Sequence, residues 1–250
     1  MRYFNGICLI VILGLSACGP TPTNPPTLAG QARVRVGDAA QTSGDPVLAA
    51  SMYAQASSEA PHDAAIQLRY ANALMGAGQI TQARDLLIKH IPLVSQPLEL
   101  RRGLGSLYVL EGQPSSALLE LDAVLAAQPG DMRAVLNKAI ALDLLHRHQE
   151  AQPLYLKALA ESPDDPVVKN DYAMSLMLQG RVREAKDLLT PYRGAGNIPQ
   201  RITTNLGVLL AANGDVAGAK AVVGGSLTDE QLGQLASAVA QNSQTVPLRQ

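Results

Sequence analysis

Cysteine is almost missing from this chain. The two that occur, Cys8 and Cys18, both fall in the first 18 residues, so the remaining sequence has no disulfide, no thiolate metal site and no redox pair. An excess of charge is missing too. Twenty basic residues stand against 21 acidic ones, which argues against a nucleic-acid partner. The four histidines, His62, His90, His146 and His148, share no metal-ligand spacing. His146 and His148 are two apart and would not face one another on a helix. No glycine loop is built to cradle phosphate, and no serine sits in an elbow motif. The sequence therefore implies no cofactor and no metal, and points to a binding protein rather than an enzyme. Long apolar runs are lacking as well. Ile7–Leu15 is nine residues long, whereas a membrane-spanning helix needs about 20. Tryptophan is absent and aromatics make up 3%, yet 250 residues that are 47% apolar can bury a core without a disulfide.

What is present is a pattern, clearest in Leu98–Asp131. Leu100, Leu104, Leu107 and Tyr108 recur at helical spacing. After Glu111-Gly112-Gln113, a second apolar face runs through Ala117, Leu118, Leu121, Val124 and Leu125. Gly112 suits the left-handed residue that ends a helix. Pro114 suits the first turn of the next, where a missing N–H is no loss. Pro129-Gly130-Asp131 stops the second helix.

The pattern returns every 34 residues. The turn glycine becomes Gly44, Gly78, Gly112, Gly180 and Gly214, with His146 in the one remaining turn. Five residues later stands Ala49, Ala83, Ala117, Ala151, Ala185 or Ala219, without exception. Seven before each turn is another small residue: Gly37, Ala71, Gly105, Ala139, Ala173 or Gly207. Both series belong where the two helices of a pair cross closely. Pro61, Pro129 and Pro163 repeat the stop. By this period the chain resembles the tetratricopeptide (TPR) repeat family over about residues 30–226. The resemblance implies an all-α helix–turn–helix solenoid of about six repeats plus a C-terminal capping helix. Many aromatic slots hold Leu, which changes packing volume but not architecture.

The N-terminus reads differently. Arg2 and the run Ile7–Leu15 mark residues 1–17 as a signal peptide. The run ends in Leu15-Ser16-Ala17-Cys18, which looks like the lipobox of bacterial lipoproteins. That resemblance implies diacylglyceryl transfer to Cys18, cleavage before it, and acylation of the new amine; more than one acyl chain gives stable anchoring. Residues 18–29, the lipidated cysteine and its tether, include GPTPTNPPT, which is proline-rich and uncharged, an extended spacer. Gly19 stands where an Asp tends to retain such proteins at the inner membrane, so the resemblance implies the periplasmic face of the outer membrane.

Within the array, the sequence predicts that Pro153 delays or bends its helix, that the helix before Pro92 ends near Ile91, and that Pro191 cuts another short. Thr228 to Gln231 has capping-box spacing. Leu232, Leu235, Ala236 and Val239 then share one apolar face, which predicts a capping helix over 227–242 with a loose tail at 243–250.

A TPR array offers a groove lined by the first helix of each pair. Projecting the period onto that face places there Arg69, Asn72, Met75, Arg102, Ser106, Val109, Arg133, Asn137, Ile140, Asp143, Asn170, Met174, Met177, Asn205 and Val208. Such a surface suits a peptide or helix with polar backbone groups to satisfy, and methionine adapts to irregular partners. Leu68 and Gly103 occupy slots where the two-carboxylate clamp of chaperone-binding TPRs needs Lys and Asn. That ligand is not implied.

Lipobox, proline-rich tether and compact array together resemble the TadD-type lipoproteins of the tight-adherence (Flp) pilus machinery. NDYAMSLMLQGRVREAKDLLTPYRGAG and PQRITTNLGVLLAANGDVAGAKAV carry this most closely. The resemblance implies a non-catalytic scaffold that binds a secretin or other pilus or secretion component and meets the membrane through its lipid anchor. The alternative is an adaptor for cell-wall enzymes, a periplasmic protease or outer-membrane barrel assembly.

Overall fold

The structure is a computed structural model that describes residues 27–196 and 198–245. Cys18, the signal peptide and most of the tether lie outside the described residues. Among those described there are thirteen α-helices and no strand. In chain order they are α1 (Leu28–Thr42), α2 (Pro46–Glu59), α3 (Ala64–Gly76), α4 (Ile80–His90), α5 (Leu98–Leu110), α6 (Pro114–Ala127), α7 (Met132–Leu144), α8 (His148–Glu161), α9 (Pro166–Leu178), α10 (Val182–Leu189), α11 (Gln200–Ala212), α12 (Val216–Val223) and α13 (Asp229–Thr245). Helices α3, α5, α7, α9 and α11 begin at residues 34 apart, so the period in the sequence is the period of the fold. Odd and even helices pair as antiparallel hairpins, and from α3 onward each odd helix also packs on the next odd one.

Each turn is closed by the residue the sequence marks. Gly44, Gly78, Gly112, Gly180 and Gly214 all have positive φ, between 67° and 87°. In the turn after α5, the Gln113 N–H reaches back to the Tyr108 carbonyl at 2.8 Å and the Gly112 N–H to Val109 at 3.1 Å. His146 adopts the same conformation at φ 58° and is the one non-glycine with positive φ among the described residues. A Cβ there crowds the following carbonyl and costs about 1–2 kcal/mol. Glycine relieves that crowding but adds about 0.5–1 kcal/mol of unfolded-state freedom. His146→Gly is therefore expected to stabilise the array by about 0.5–1 kcal/mol, read as a raised urea midpoint at unchanged slope.

The crossings are as tight as the small residues suggest. All six alanines of the invariant series are 0% exposed. Opposite them, a Cβ added to Gly105 would lie 2.7 Å from Leu121, and one on Gly37 would lie 2.6 Å from the Tyr53 ring. Tyr53, Leu87, Leu121, Tyr155, Leu189 and Val223 share one phase and are buried, and Tyr53, Leu121 and Val223 fill the space that Gly37, Gly105 and Gly207 leave. Aspartates add a signal not read from the sequence. Asp45, Asp63, Asp131, Asp165 and Asp215 cap the following helices by accepting backbone N–H groups.

Three prolines act as chain breakers to different degrees. Pro92 and Pro191 each follow a shortened helix and sit in a one-turn 3₁₀ segment, as expected. Pro153 does not delay its helix, because α8 starts at His148 and runs through it. The capping box is formed: the Gln231 N–H donates to Thr228 Oγ1 at 3.2 Å and the Thr228 N–H to Gln231 Oε1 at 2.9 Å. Helix α13 then docks on α11 through Leu232, which is 2% exposed. It continues to Thr245, taking in three residues assigned to the loose tail. At the other end, α1 takes in Leu28 and Ala29 from the tether.

Candidate functional site

The stacked first helices form one groove. Its main part, about 330 Å³, is bounded by α3, α5, α7 and α9. Asn72, Met75, Arg102, Ser106, Arg133, Asn137 and Ile140 line it, as the sequence places them. Leu68 and Gly103, the two residues in the carboxylate-clamp slots, complete the wall together with Leu136, Val167 and Asp171, which the projection leaves out. A second recess of about 210 Å³ opens beside it between α7 and α9, sharing Ile140 and Asp171. Asp143 and Met174 line that recess together with Leu144, Tyr155, Ser175 and Leu178.

The remaining marked residues do other work. Arg69 pairs with Asp38 at 3.2 Å. Val109 packs beside Ala117 and Leu121, and Met177 against the C-terminal core. Val208, at 8% exposure, belongs to that same core and offers no groove surface. Asn170 is 3% exposed and is corrected from groove to interior. It accepts from Asn205 Nδ2 at 2.8 Å and donates through Nδ2 to Asp171 Oδ1 at 3.1 Å. The error is one of phase. Counting 34 from Asn137 reaches Asp171, and 34 more reaches Asn205. A one-residue slip turns a helix by about 100°, enough to exchange groove for core.

Polar groups on the groove differ in how far they are already bound. Arg102 Nη1 lies 2.7 Å from Asp131 Oδ2. Burial works against the Asp131 charge, but the Ala134 N–H and the Arg102 guanidinium outweigh it and hold the carboxyl below its usual range. Asn137 Nδ2 donates to Ser106 Oγ at 2.7 Å, and that hydroxyl donates to the Arg102 carbonyl at 3.0 Å. Arg133 and Asn72 are exposed, and neither side chain has an ion-pair or hydrogen-bond partner among the described residues.

Asp143 is also corrected. It is 8% exposed, and its carboxylate is committed internally at the wall of the recess. Ser175 Oγ donates to Oδ1 at 2.8 Å and Tyr155 Oη to Oδ2 at 3.0 Å. His148 Nδ1 lies 2.7 Å from Oδ1, so the Nδ1–H tautomer donates. Burial, then the charge and hydrogen bond of Asp143, push the Tyr155 phenol far above its usual range. The serine meets the carboxylate rather than the imidazole, so the cluster holds no base-activated nucleophile. No group of three or more His, Cys, Asp or Glu with metal-binding geometry occurs among the described residues.

Stacked helix hairpins with a groove along their first helices define a class, the helical-repeat interaction domain. Two sequence models of the tetratricopeptide repeat family match the chain, one at residues 40–94 and 144–197 and the other at 102–166. The chain belongs to the tetratricopeptide repeat family. It is 33% identical over 119 residues to the uncharacterized protein y4yS of Sinorhizobium fredii (strain NBRC 101917 / NGR234), a match that covers 48% of this chain and 63% of that relative. It thus spans less than two thirds of the relative's length. Among solved structures, PilW, described as a widely conserved type IV pilus biogenesis factor, superposes with a TM-score of 0.70 at 16% identity over 84% of this chain and 99% of that one. TTC0263, a thermophilic TPR protein of Thermus thermophilus, gives 0.62 at 19% identity over 73% and 100%. MamA from Desulfovibrio magneticus RS-1 gives 0.59 at 18% identity over 69% and 100%. At these identities the likeness is one of fold.

Proposed function

We propose that this protein is a non-catalytic, lipid-anchored scaffold at the periplasmic face of the outer membrane that binds a secretin or another component during assembly of a Flp- or type IV-like pilus. The observation that carries the reading is the groove itself, which runs along four successive first helices, presents Arg133 and Asn72 with no side-chain partner among the described residues, and adjoins a recess walled by Ile140, Leu144, Met174 and Leu178. A surface of this kind holds an extended or helical segment of another protein. The fold shared with PilW along nearly all of that protein's length supports the pilus setting. The Leu15–Cys18 sequence and the proline-rich stretch behind it support an anchored, tethered array.

The test is capture of envelope proteins from the pilus-producing cell on the immobilised chain, with bound proteins identified by mass spectrometry. Asn72→Ala combined with Arg133→Glu changes two exposed side chains, so stability should move by no more than about 0.5 kcal/mol. Wild type is expected to retain a secretin or other pilus component, and the double variant to lose at least about tenfold of that capture. Equal capture by both would remove the groove from the function, and retention of barrel-assembly or cell-wall proteins instead would favour the adaptor role.

A further inference from the structure

The recess between α7 and α9 has a chemistry of its own. Its walls are Ile140, Leu144, Met174 and Leu178, and Asp171 stands where it meets the main groove. Leu144 and Leu178 are 34 residues apart and close the last turns of their helices, so two successive repeats supply one continuous aliphatic wall. Leu144 is 47% exposed, which leaves that wall open to an incoming group.

The two carboxylates here are not equivalent. Asp143 is saturated by Ser175, Tyr155 and His148. Asp171 accepts a single side-chain bond, from Asn170, and has no cation within ion-pair distance among the described residues. Burial raises its pKa above the ordinary carboxylate range, and the charges of Asp165 and Asp143 add to this, while the Asn170 bond and the more distant Arg201 oppose it. The site thus holds a half-buried, poorly compensated acid at the mouth of an aliphatic slot.

We propose that this recess anchors one lysine or arginine side chain of the bound protein, its aliphatic stem along Ile140, Leu144, Met174 and Leu178 and its cationic head on the Asp171 carboxylate. The argument is complementarity in both parts of the side chain. A long basic side chain lays its methylenes on apolar surface and keeps its charge at the edge. A charge-assisted hydrogen bond to a partly desolvated carboxylate is stronger than a neutral one. An acidic side chain would meet Asp171 and the buried Asp143, and an apolar one would leave Asp171 uncompensated. The assignment rests on the scaffold reading only for the source of the side chain, since the recess and its charge are properties of this chain alone.

The probe is n-butylammonium, the lysine side chain without its backbone, compared with 1-butanol, which keeps the stem and lacks the charge. The full chain in nonionic detergent, carrying ¹³C-methyl methionine, provides six methyl reporters, with Met174 assigned through Met174→Leu. Butylammonium is expected to shift Met174 saturably, to leave Met52 on α2 in place, and to bind at least about tenfold tighter than butanol. Asp171→Asn should abolish that preference, with an unchanged Met52 resonance as the folding control. Equal binding of the two probes to wild type, or a preference that survives in Asp171→Asn, overturns the assignment. If the preference is absent while Asn72→Ala with Arg133→Glu still abolishes partner capture, the basic anchor fails and the scaffold reading stands. If the preference is present and capture ignores the double variant, the scaffold reading fails and the anchor stands.

Discussion

Asp143→Ala is expected to lower the unfolding free energy by about 2–6 kcal/mol, the largest effect foreseen for a single substitution in this chain. The carboxylate is the common acceptor for Tyr155 Oη and Ser175 Oγ, which belong to residues 1% and 0% exposed. Removing it strands two buried hydroxyl donors, each costing about 1–3 kcal/mol, while His148 sits nearer the surface and can turn to water. Asp143→Asn keeps one acceptor oxygen and should cost less than half as much. Urea melts at equal slope measure both. An Asp143→Ala midpoint equal to wild type would mean that the hydroxyls find other partners and that the cluster is dispensable.

Ala117→Leu comes next, at about 1–3 kcal/mol of destabilisation. Ala117 is 0% exposed and lies beside Leu121 and Val124 in the crossing of α5 and α6. The adjacent approach at Gly105 leaves no room even for a methyl, with Leu121 at 2.7 Å from the position its Cβ would take. Three added carbons must either push the helices apart or force side chains off their rotamers. Because every repeat has the same alanine, Ala83→Leu should cost a similar amount, which separates a property of the repeat from a local accident. A wild-type melting curve for Ala117→Leu would show the crossing to be looser than the geometry says.

What could be read from the sequence is what repeats. The turn glycines, the invariant alanines and the small residues facing them recur at a fixed interval, and the helices begin where that interval places them. Such features are set by backbone approach, which tolerates few side chains and so writes itself plainly in sequence. The groove was half legible for the same reason. Seven marked residues line its main part because they follow the period, whereas Asn170 was placed there by a one-residue slip that hid Asp171, its neighbour in sequence and the true groove residue. The Asp143 cluster was not legible. Its partners are 5, 12 and 32 residues away, drawn from two successive repeats beside the one turn among the described residues that lacks glycine, and the set of contacts does not recur along the array. No periodic signal announces contacts that are made once.

The groove's two uncompensated charges, the Arg133 guanidinium on α7 and the Asp171 carboxylate on α9, sit on successive first helices and have opposite sign. A surface with one positive and one negative position in fixed order distinguishes the two ends of whatever lies along it. A segment with an acidic residue ahead of a basic one meets both partners in one orientation and two like charges in the reverse, so the two orientations differ in affinity. On the proposed reading, in which both positions contact the partner, the array is a polarised cradle that fixes which way a bound chain runs as well as where it binds.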